Sequence, residues 1–138
     1  MMILGFDPGK DKCGIAVMGK DTQIYYHQVV VSEDAIAKVE ILCQQFPIEL
    51  IVIGDRTTSK NWQEKIEANL SKSLPIVKVD ERNSSLEARD RYWQMYPPQG
   101  LSRLIPQGMR LPPRPIDDIV AILLIERYLK MIRVEGKG

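Results

Sequence analysis

The sequence has few of the residues on which thiolate metal sites, disulfide frameworks and histidine-based catalysis depend. It contains two cysteines, Cys13 and Cys43, and one histidine, His27. Scattered cysteines without neighbouring histidines argue against a structural zinc site and a disulfide framework. A single histidine in a segment rich in Ile, Tyr and Val predicts a structural role, and it leaves no basis for a Ser–His–Asp or Cys–His triad.

Long apolar runs are also missing, and the charges almost cancel. No stretch approaches the roughly 18–20 apolar residues of a membrane span, so we expect no membrane partner. The first residues lack the charged start and the long apolar run of a secretory signal, so we expect a cytoplasmic protein. Nineteen Lys and Arg against eighteen Asp and Glu give a net charge of +1, which is no sign of a protein that binds nucleic acid by bulk charge.

The near-zero net charge conceals an uneven distribution along the chain. Residues 1–81 contain 9 basic and 12 acidic residues, whereas residues 82–138 contain 10 basic and 6 acidic ones. Lys and Arg contacts to phosphate supply the sequence-independent part of nucleic-acid affinity. The counts leave two interpretations open: a chance fluctuation, and a basic surface that meets phosphate.

Apolar runs and turn residues predict an α/β fold. Three apolar runs joined by short turns predict antiparallel strands, after which helices and strands alternate. The predicted strands are residues 2–6, 13–18, 23–31, 50–53 and 76–79, and the predicted helices are 33–46, 61–74, 85–96 and 116–132. This order predicts one domain over residues 1–138, with a mixed five-stranded sheet and helices on both faces.

Local signals refine the ends of these elements. Ser32 is the predicted N-cap of the first helix, and Ser84 with Glu87 forms a predicted capping box at the third. Residues 97–115 hold six prolines and two glycines, which predicts a long irregular loop of the kind that is usually functional or mobile. Residues 135–138 are expected to fray.

Three acidic segments stand where elements begin or end. Asp7 closes the first strand, Asp80–Glu81 follows the fifth, and Asp117–Asp118 opens the last helix. Each segment alone has an ordinary explanation, namely turn chemistry, a solvated strand exit or the helix dipole. Taken together they favour a site, because the first and fifth strands run parallel in the predicted sheet and ligands bind beyond the carboxyl ends of such strands.

Carboxylates clustered in this way indicate a hard divalent cation. Asp7, Glu81 and Asp117 would offer only oxygen ligands, which favour Mg²⁺ or Mn²⁺ over zinc. Two such ions about 3.5–4 Å apart can activate a water molecule and stabilise the leaving oxygen in phosphodiester hydrolysis.

Three segments in the same order resemble a known family. Ile3–Gly9 with Gly14–Val17 resembles the first strand pair of the RuvC and YqgF (RuvX) branch of the RNase H-like superfamily. Val79–Arg82 with Ser84–Ala88 is similar to the "DER…T…EA" segment of YqgF proteins, which are described as pre-16S rRNA nucleases, and Ile116–Ile125 is similar to their final helix. The resemblance implies an RNase H-like fold, a divalent-metal nuclease site and a nucleic-acid substrate.

Carried over by position, the resemblance assigns catalytic roles to Asp7, Glu81 and Asp117. Asp7 would bridge two Mg²⁺ or Mn²⁺ ions, Glu81 and Asp117 would each hold one, and hydrolysis would leave a 5′-phosphate. Asp118 is a further candidate metal ligand. Four arginines are candidates for binding the substrate, through its phosphates or beside aromatic side chains. They are Arg82, Arg89, Arg110 and Arg114.

The sequence departs from the family pattern in three places. Gly54–Thr58 replaces the usual "GLPxxxxG" and adds Asp55 as a possible carboxylate, Val120 stands where RuvC resolvases have a further acid, and the loop at 97–115 is long. We expect a nuclease that acts on RNA in pre-16S rRNA maturation. The alternatives are a Holliday junction resolvase, which requires a homodimer, and a non-catalytic nucleic-acid-binding module; a monomer and a homodimer are both left open.

Overall fold

The computed structural model describes residues 1–135, and residues 136–138, which include most of the tail expected to fray, lie outside it. The strands are β1 Met2–Asp7, β2 Lys12–Gly19, β3 Ile24–Val31, β4 Ile48–Gly54 and β5 Ile76–Val79. The α-helices are α1 Ala35–Gln45, α2 Ser59–Asn69, α3 Ser84–Met95 and α4 Asp117–Glu135.

The five strands form one mixed sheet in the order β3-β2-β1-β4-β5. β1, β2 and β3 pair antiparallel, whereas β4 and β5 run parallel to β1. Phe6 of β1 is level with Ile53 of β4, and Gly54 is level with Val79 of β5. The carboxyl ends of the three parallel strands therefore lie along one edge, as the sequence predicts.

Helices cover both faces of the sheet, which explains why the central strands are apolar on both sides. On β1, Ile3 packs in the cluster that includes α3 and α4, while Leu4 and Phe6 pack in the cluster that includes α1 and α2. All three side chains are fully buried. Each contributes about 1.5–3 kcal/mol through burial of apolar surface, so β1 is held firmly up to its last residue, Asp7.

Helix α4 lies directly on β1 and β2 because two glycines remove side chains from the contact. A Cβ atom at Gly14 would overlap the carbonyl of Asp117, and one at Gly5 would overlap the carbonyl of Ala121. Gly14 is also the partner of Asp7 in the β1–β2 register. The first residue of α4 is therefore fixed beside the end of β1.

The structure corrects both predicted caps. Ser32 begins a 3₁₀ turn ahead of α1, and its hydroxyl donates to the Gly9 carbonyl instead of capping the helix. Ser84 is not a cap but the buried first residue of α3, preceded by Asn83 in the left-handed conformation. The capping box is therefore wrong; the Glu87 carboxylate forms an ion pair with Arg127 of α4. Asn83, in the left-handed conformation, thus occupies the position before α3 at which the serine cap was expected.

Helix α2 covers residues 59–69 and not the predicted 61–74, and short 3₁₀ turns at 100–104 and 107–109 interrupt the proline-rich loop. Side chains of α3 hold this loop: Arg89 donates to the Gly108 carbonyl and Trp93 Nε1 donates to the Arg110 carbonyl. The loop turns large apolar side chains outward, with Leu101 82% exposed. Within residues 1–135, none of the helices is long and apolar enough to cross a membrane.

Candidate active site

Two carboxyl groups are buried together at the carboxyl edge of the parallel strands. Asp7 ends β1 and its side chain is 2% exposed, while Glu81, two residues after β5, has a side chain that is 8% exposed. β4 lies between these strands and ends at Gly54. A Cβ atom at Gly54 would overlap the Glu81 carboxyl carbon. The absence of a side chain at Gly54 therefore allows the Glu81 carboxyl group to lie next to Asp7.

Each member of this pair has one oxygen with no hydrogen-bond donor. Asp7 Oδ1 and Glu81 Oε1 are buried and accept no hydrogen bond within the described residues. Burial, and then the neighbouring Glu81, raise the pKa of Asp7 from 3.8 to about 9. Buried carboxylates without compensation are costly, so the pair requires a proton or a cation between its members.

Arg56 supplies part of that positive charge. Its Nε donates to Glu81 Oε2 at 3.1 Å, and its Nη2 lies 4.0 Å from Asp7 Oδ1. Arg56 follows β4 by two residues, the same strand-end position from which Glu81 follows β5. The sequence-based site lacks this residue, although its place after a neighbouring parallel strand was a signal that could have indicated it.

Asp55, noted from the sequence as a possible extra carboxylate, has a different role. Its Oδ1 accepts the backbone N–H of Glu81 at 3.2 Å. The loop after β4 therefore holds both ends of Glu81: Asp55 binds the backbone and Arg56 binds the carboxylate.

Asp117 lies beside the buried pair, at the start of α4. It is half-buried, and its negative charge contributes to the raised pKa of Asp7. Burial also raises the pKa of Asp117, against the positive charges of Arg56 and Lys12. Among residues 1–135, no three His, Cys, Asp or Glu side chains lie close enough together to hold a metal ion. Asp117 is therefore a neighbour of the pair and does not form a three-residue cluster with it.

Asp118, the fourth residue expected from sequence to bind metal, uses its oxygens elsewhere. His27 Nδ1 donates to Oδ2 at 2.6 Å, and the Arg114 guanidinium donates to both oxygens, at 2.9 and 3.3 Å. Burial alone would raise the pKa of Asp118, but these hydrogen bonds outweigh it and lower the pKa. Asp118 therefore joins β3 and the proline-rich loop to α4, and both of its carboxylate oxygens are bound by these donors.

The four arginines expected to bind substrate have unequal surroundings. Arg82 is exposed directly after Glu81. Arg89 donates to the loop carbonyl of Gly108, Arg110 donates to the carbonyls of Ser102 and Ile105, and Arg114 is bound to Asp118. Arg82 is thus the one of the four whose guanidinium forms no hydrogen bond or ion pair within residues 1–135, while Arg110 and Arg114 shape the loop.

The donor set fits a hard divalent cation. The ligands offered are carboxylate oxygens only, and two of them are buried without a hydrogen-bond donor. Such oxygens suit Mg²⁺ or Mn²⁺, which prefer oxygen ligands. Asp7 and Glu81, with Asp117 beside them, are the residues that would hold the ions.

A methyl group at the end of β4 should disturb this pair selectively. In Gly54→Ala the new Cβ meets the flexible end of the Glu81 side chain, so the carboxyl group moves and the fold remains. We expect Mn²⁺ affinity, measured by calorimetry, to fall about tenfold, the scale found for disturbed ligand positioning. Gly108→Ala is the control, because no atom lies within 4 Å of the added Cβ; equal affinities in the two variants would contradict the placement of Glu81.

Comparison with known proteins agrees with this arrangement. Residues 1–131 match the model of the RuvX family, which is described as "Holliday junction resolvase". Proteins of Xylella fastidiosa strains M23 and 9a5c, both named "Putative pre-16S rRNA nuclease", are 29% identical over 144 residues, which cover 93% of this chain and 86% of theirs.

Solved structures show the same fold. Thermus thermophilus RuvC in complex with a Holliday junction substrate superposes with a TM-score of 0.62 at 17% identity, covering 97% of this chain and 96% of that one. A second Thermus thermophilus RuvC structure gives a TM-score of 0.63 at 15% identity, covering 98% and 97%. The predicted α/β, RNase H-like fold is confirmed. The family match over nearly the whole sequence shows that the chain belongs to the RuvX family.

Proposed function

We propose that this RuvX-family protein is a divalent-metal-dependent nuclease that hydrolyses phosphodiester bonds of RNA during pre-16S rRNA maturation in the cytoplasm. The observation that supports it best is the buried pair of Asp7 and Glu81, in which one oxygen of each residue has no hydrogen-bond donor. Burial of two such groups side by side is costly unless a proton or a cation lies between them, and a metal-dependent nuclease supplies the cation.

The three carboxylates are the metal ligands in this proposal. Asp7, at the end of the central strand, would hold the Mg²⁺ or Mn²⁺ ions together with Glu81 and Asp117. When bound, such ions activate a water molecule and stabilise the leaving oxygen. Glu81 is already oriented by Asp55 and Arg56 before any ion arrives.

Two arginines complete the proposed site. Arg56 neutralises part of the charge on Asp7 and Glu81, which keeps the pair compatible with folding. Arg82 is exposed beside Glu81, where it can hold the scissile phosphate through its two parallel N–H donors.

RNA is the preferred substrate because the Xylella fastidiosa relatives carry the name of an rRNA nuclease over nearly the full length of this chain. DNA junction cleavage is the second candidate, favoured by the description of the RuvX family. Val120, in the position where RuvC resolvases have a further acid, is buried in the core between α4 and the sheet. The site thus has one carboxylate fewer than a resolvase, which favours RNA. Resolution of a junction also requires two sites, and hence a homodimer.

A cleavage assay with three substrates separates these functions. Wild-type protein with Mn²⁺ is expected to cut structured RNA containing the ends of 16S rRNA, and single-stranded RNA and four-way DNA serve as the other substrates. Selective cutting of four-way DNA would favour the resolvase. Salt-sensitive binding without any cutting would favour a non-catalytic module and would refute the nuclease. Sedimentation of the same sample decides between monomer and homodimer.

A further inference from the structure

In addition to the loop after β4, one side chain of the last helix contacts the segment that bears Glu81. Arg127 lies on α4, ten residues after Asp117, and its guanidinium donates to two backbone carbonyls. Nη1 binds the Asp80 carbonyl at 2.6 Å, and Nη2 binds the Arg82 carbonyl at 2.8 Å. These are the residues immediately before and after Glu81.

Segment 80–82 depends on such contacts because it has no regular secondary structure. β5 ends at Val79 and α3 begins at Ser84. Three other hydrogen bonds hold its backbone. The Glu81 N–H donates to Asp55 Oδ1 in the loop after β4, the Arg82 N–H donates to Asp80 Oδ1, and the Glu81 carbonyl accepts from the Ser84 N–H. Arg127 therefore satisfies both remaining carbonyls of the segment with one rigid group.

The chemistry of the contact requires arginine. A guanidinium is planar and presents donors in a fixed fork, so both carbonyls are held at a set separation. A lysine ammonium is a single point of charge and cannot reproduce that fork. The Arg127 side chain is 21% exposed, so water reaches the carbonyls in its absence and the segment would loosen while the core stays folded.

We propose that Arg127 is a positioning residue for Glu81: it fixes the backbone on both sides of that carboxylate and thereby its approach to Asp7. The proposal rests on the proposed function, in which Glu81 holds a metal ion. Arg127 touches neither carboxylate, and it acts through segment 80–82 alone. Partners of this kind typically change metal affinity or activity about 10–100-fold when they are lost.

The decisive variant is Arg127→Lys, which keeps the charge and removes the fork. In metal-free protein, hydrogen–deuterium exchange of peptides covering residues 79–84 is expected to rise, while the amides of β1 and β2 keep their protection. Mn²⁺ affinity, measured by calorimetry well below the melting temperature, is expected to fall about tenfold. In cleavage, kcat should fall and KM should stay unchanged, because the substrate-facing side chains are untouched.

Two control variants identify the responsible contact. Glu87→Gln removes the ion pair between Glu87 and Arg127, at 3.1 Å, but leaves the carbonyl bonds, and Arg133→Lys makes the same exchange on the exposed end of α4. Both should retain wild-type exchange at 79–84 and wild-type Mn²⁺ affinity. The proposal is overturned if Arg127→Lys shows no increase in exchange there, or if Glu87→Gln reproduces its losses.

The same measurements distinguish this inference from the function on which it rests. A wild-type protein that binds no Mn²⁺ and cuts no substrate overturns the nuclease and, with it, the positioning of a metal ligand. A wild type that binds Mn²⁺ together with an Arg127→Lys variant of equal affinity overturns the positioning role alone.

Discussion

Asp7→Asn is expected to abolish cleavage and, without divalent ions, to make the protein more stable. Loss of a residue that only supports a metal ligand costs about 10–100-fold, so loss of the central ligand should cost more than about 100-fold in kcat. The substitution also removes a buried carboxyl group whose Oδ1 has no donor and replaces it with an amide that can donate to Glu81. Relief of an unsatisfied buried group is worth about 1–3 kcal/mol.

The stabilisation has a defined pH dependence. The pKa of Asp7 rises from 3.8 to about 9 in the folded protein. Between these two values the unfolded chain releases a proton that the folded chain keeps, so the stability of metal-free wild type falls as pH rises through this window. The Asn variant lacks this group, and its advantage in urea unfolding with EDTA should therefore be small at pH 4 and grow toward pH 9.

Asp11→Asn provides the control for Asp7→Asn. Asp11 is an exposed aspartate in the turn after β1, so its replacement should leave cleavage and melting temperature near wild type. Added Mn²⁺ should stabilise wild type and Asp11→Asn but not Asp7→Asn. An Asp7→Asn protein that cuts RNA at the wild-type rate, or that is stabilised equally by Mn²⁺, would remove Asp7 from the metal site.

The neighbouring aspartates at the start of α4 are expected to respond differently to loss of their charge. Asp118→Asn should lower stability at pH 7 by about 1.5–3 kcal/mol, the range for hydrogen bonds to charged groups. Asp118 is 2% exposed, whereas its partners His27 and Arg114 are 22% and 36% exposed, which keeps the loss below that of a fully buried pair. Asp117→Asn should change stability by less than about 1 kcal/mol, because relief of its burial offsets a weakened interaction with the helix dipole.

The pH profiles of these two variants follow from their pKa shifts. The folded protein lowers the pKa of Asp118, so the stability that Asp118 contributes is present above pH 3.8 and is lost as pH falls through the folded value. The pKa of Asp117 is raised, so it costs stability above pH 3.8. The melting temperatures of both variants from pH 3 to pH 8 measure these two contributions. Equal destabilisation by the two substitutions would contradict the role of Asp118 in joining α4 to β3 and the proline-rich loop.

The fold and the buried pair could be predicted because they follow from patterns along the chain. Apolar runs and turns fix the order of the strands, and that order places the ends of β1 and β5 on one edge. Asp7 and Glu81 stand at those ends, so their proximity is a consequence of topology. The predicted last helix begins with Asp117–Asp118, which adds Asp117 to the expected cluster, and the structure places the Asp117 backbone against Gly14, beside Asp7.

The remainder of the site depends on side-chain directions that no local pattern encodes. Asp117 and Asp118 are equivalent in sequence, but successive residues on a helix point about 100° apart, and only packing decides which of them faces the carboxylate pair. Arg56 resembles any arginine in a polar loop until β4 is known to lie between β1 and β5. Arg127 is distant in sequence from Glu81, so only the packing of α4 brings them together.

The guanidinium of Arg56 has a consequence for which ions the site can accept. It already places one positive charge 3.1 Å from Glu81 and 4.0 Å from Asp7. A monovalent ion that enters exchanges one unit of charge for another and still loses its hydration, so it gains little. A divalent ion doubles the attraction to the same two carboxylates, since the Coulomb energy scales with charge. In the proposed site, the Arg56 guanidinium would therefore disfavour sodium and potassium relative to magnesium and manganese.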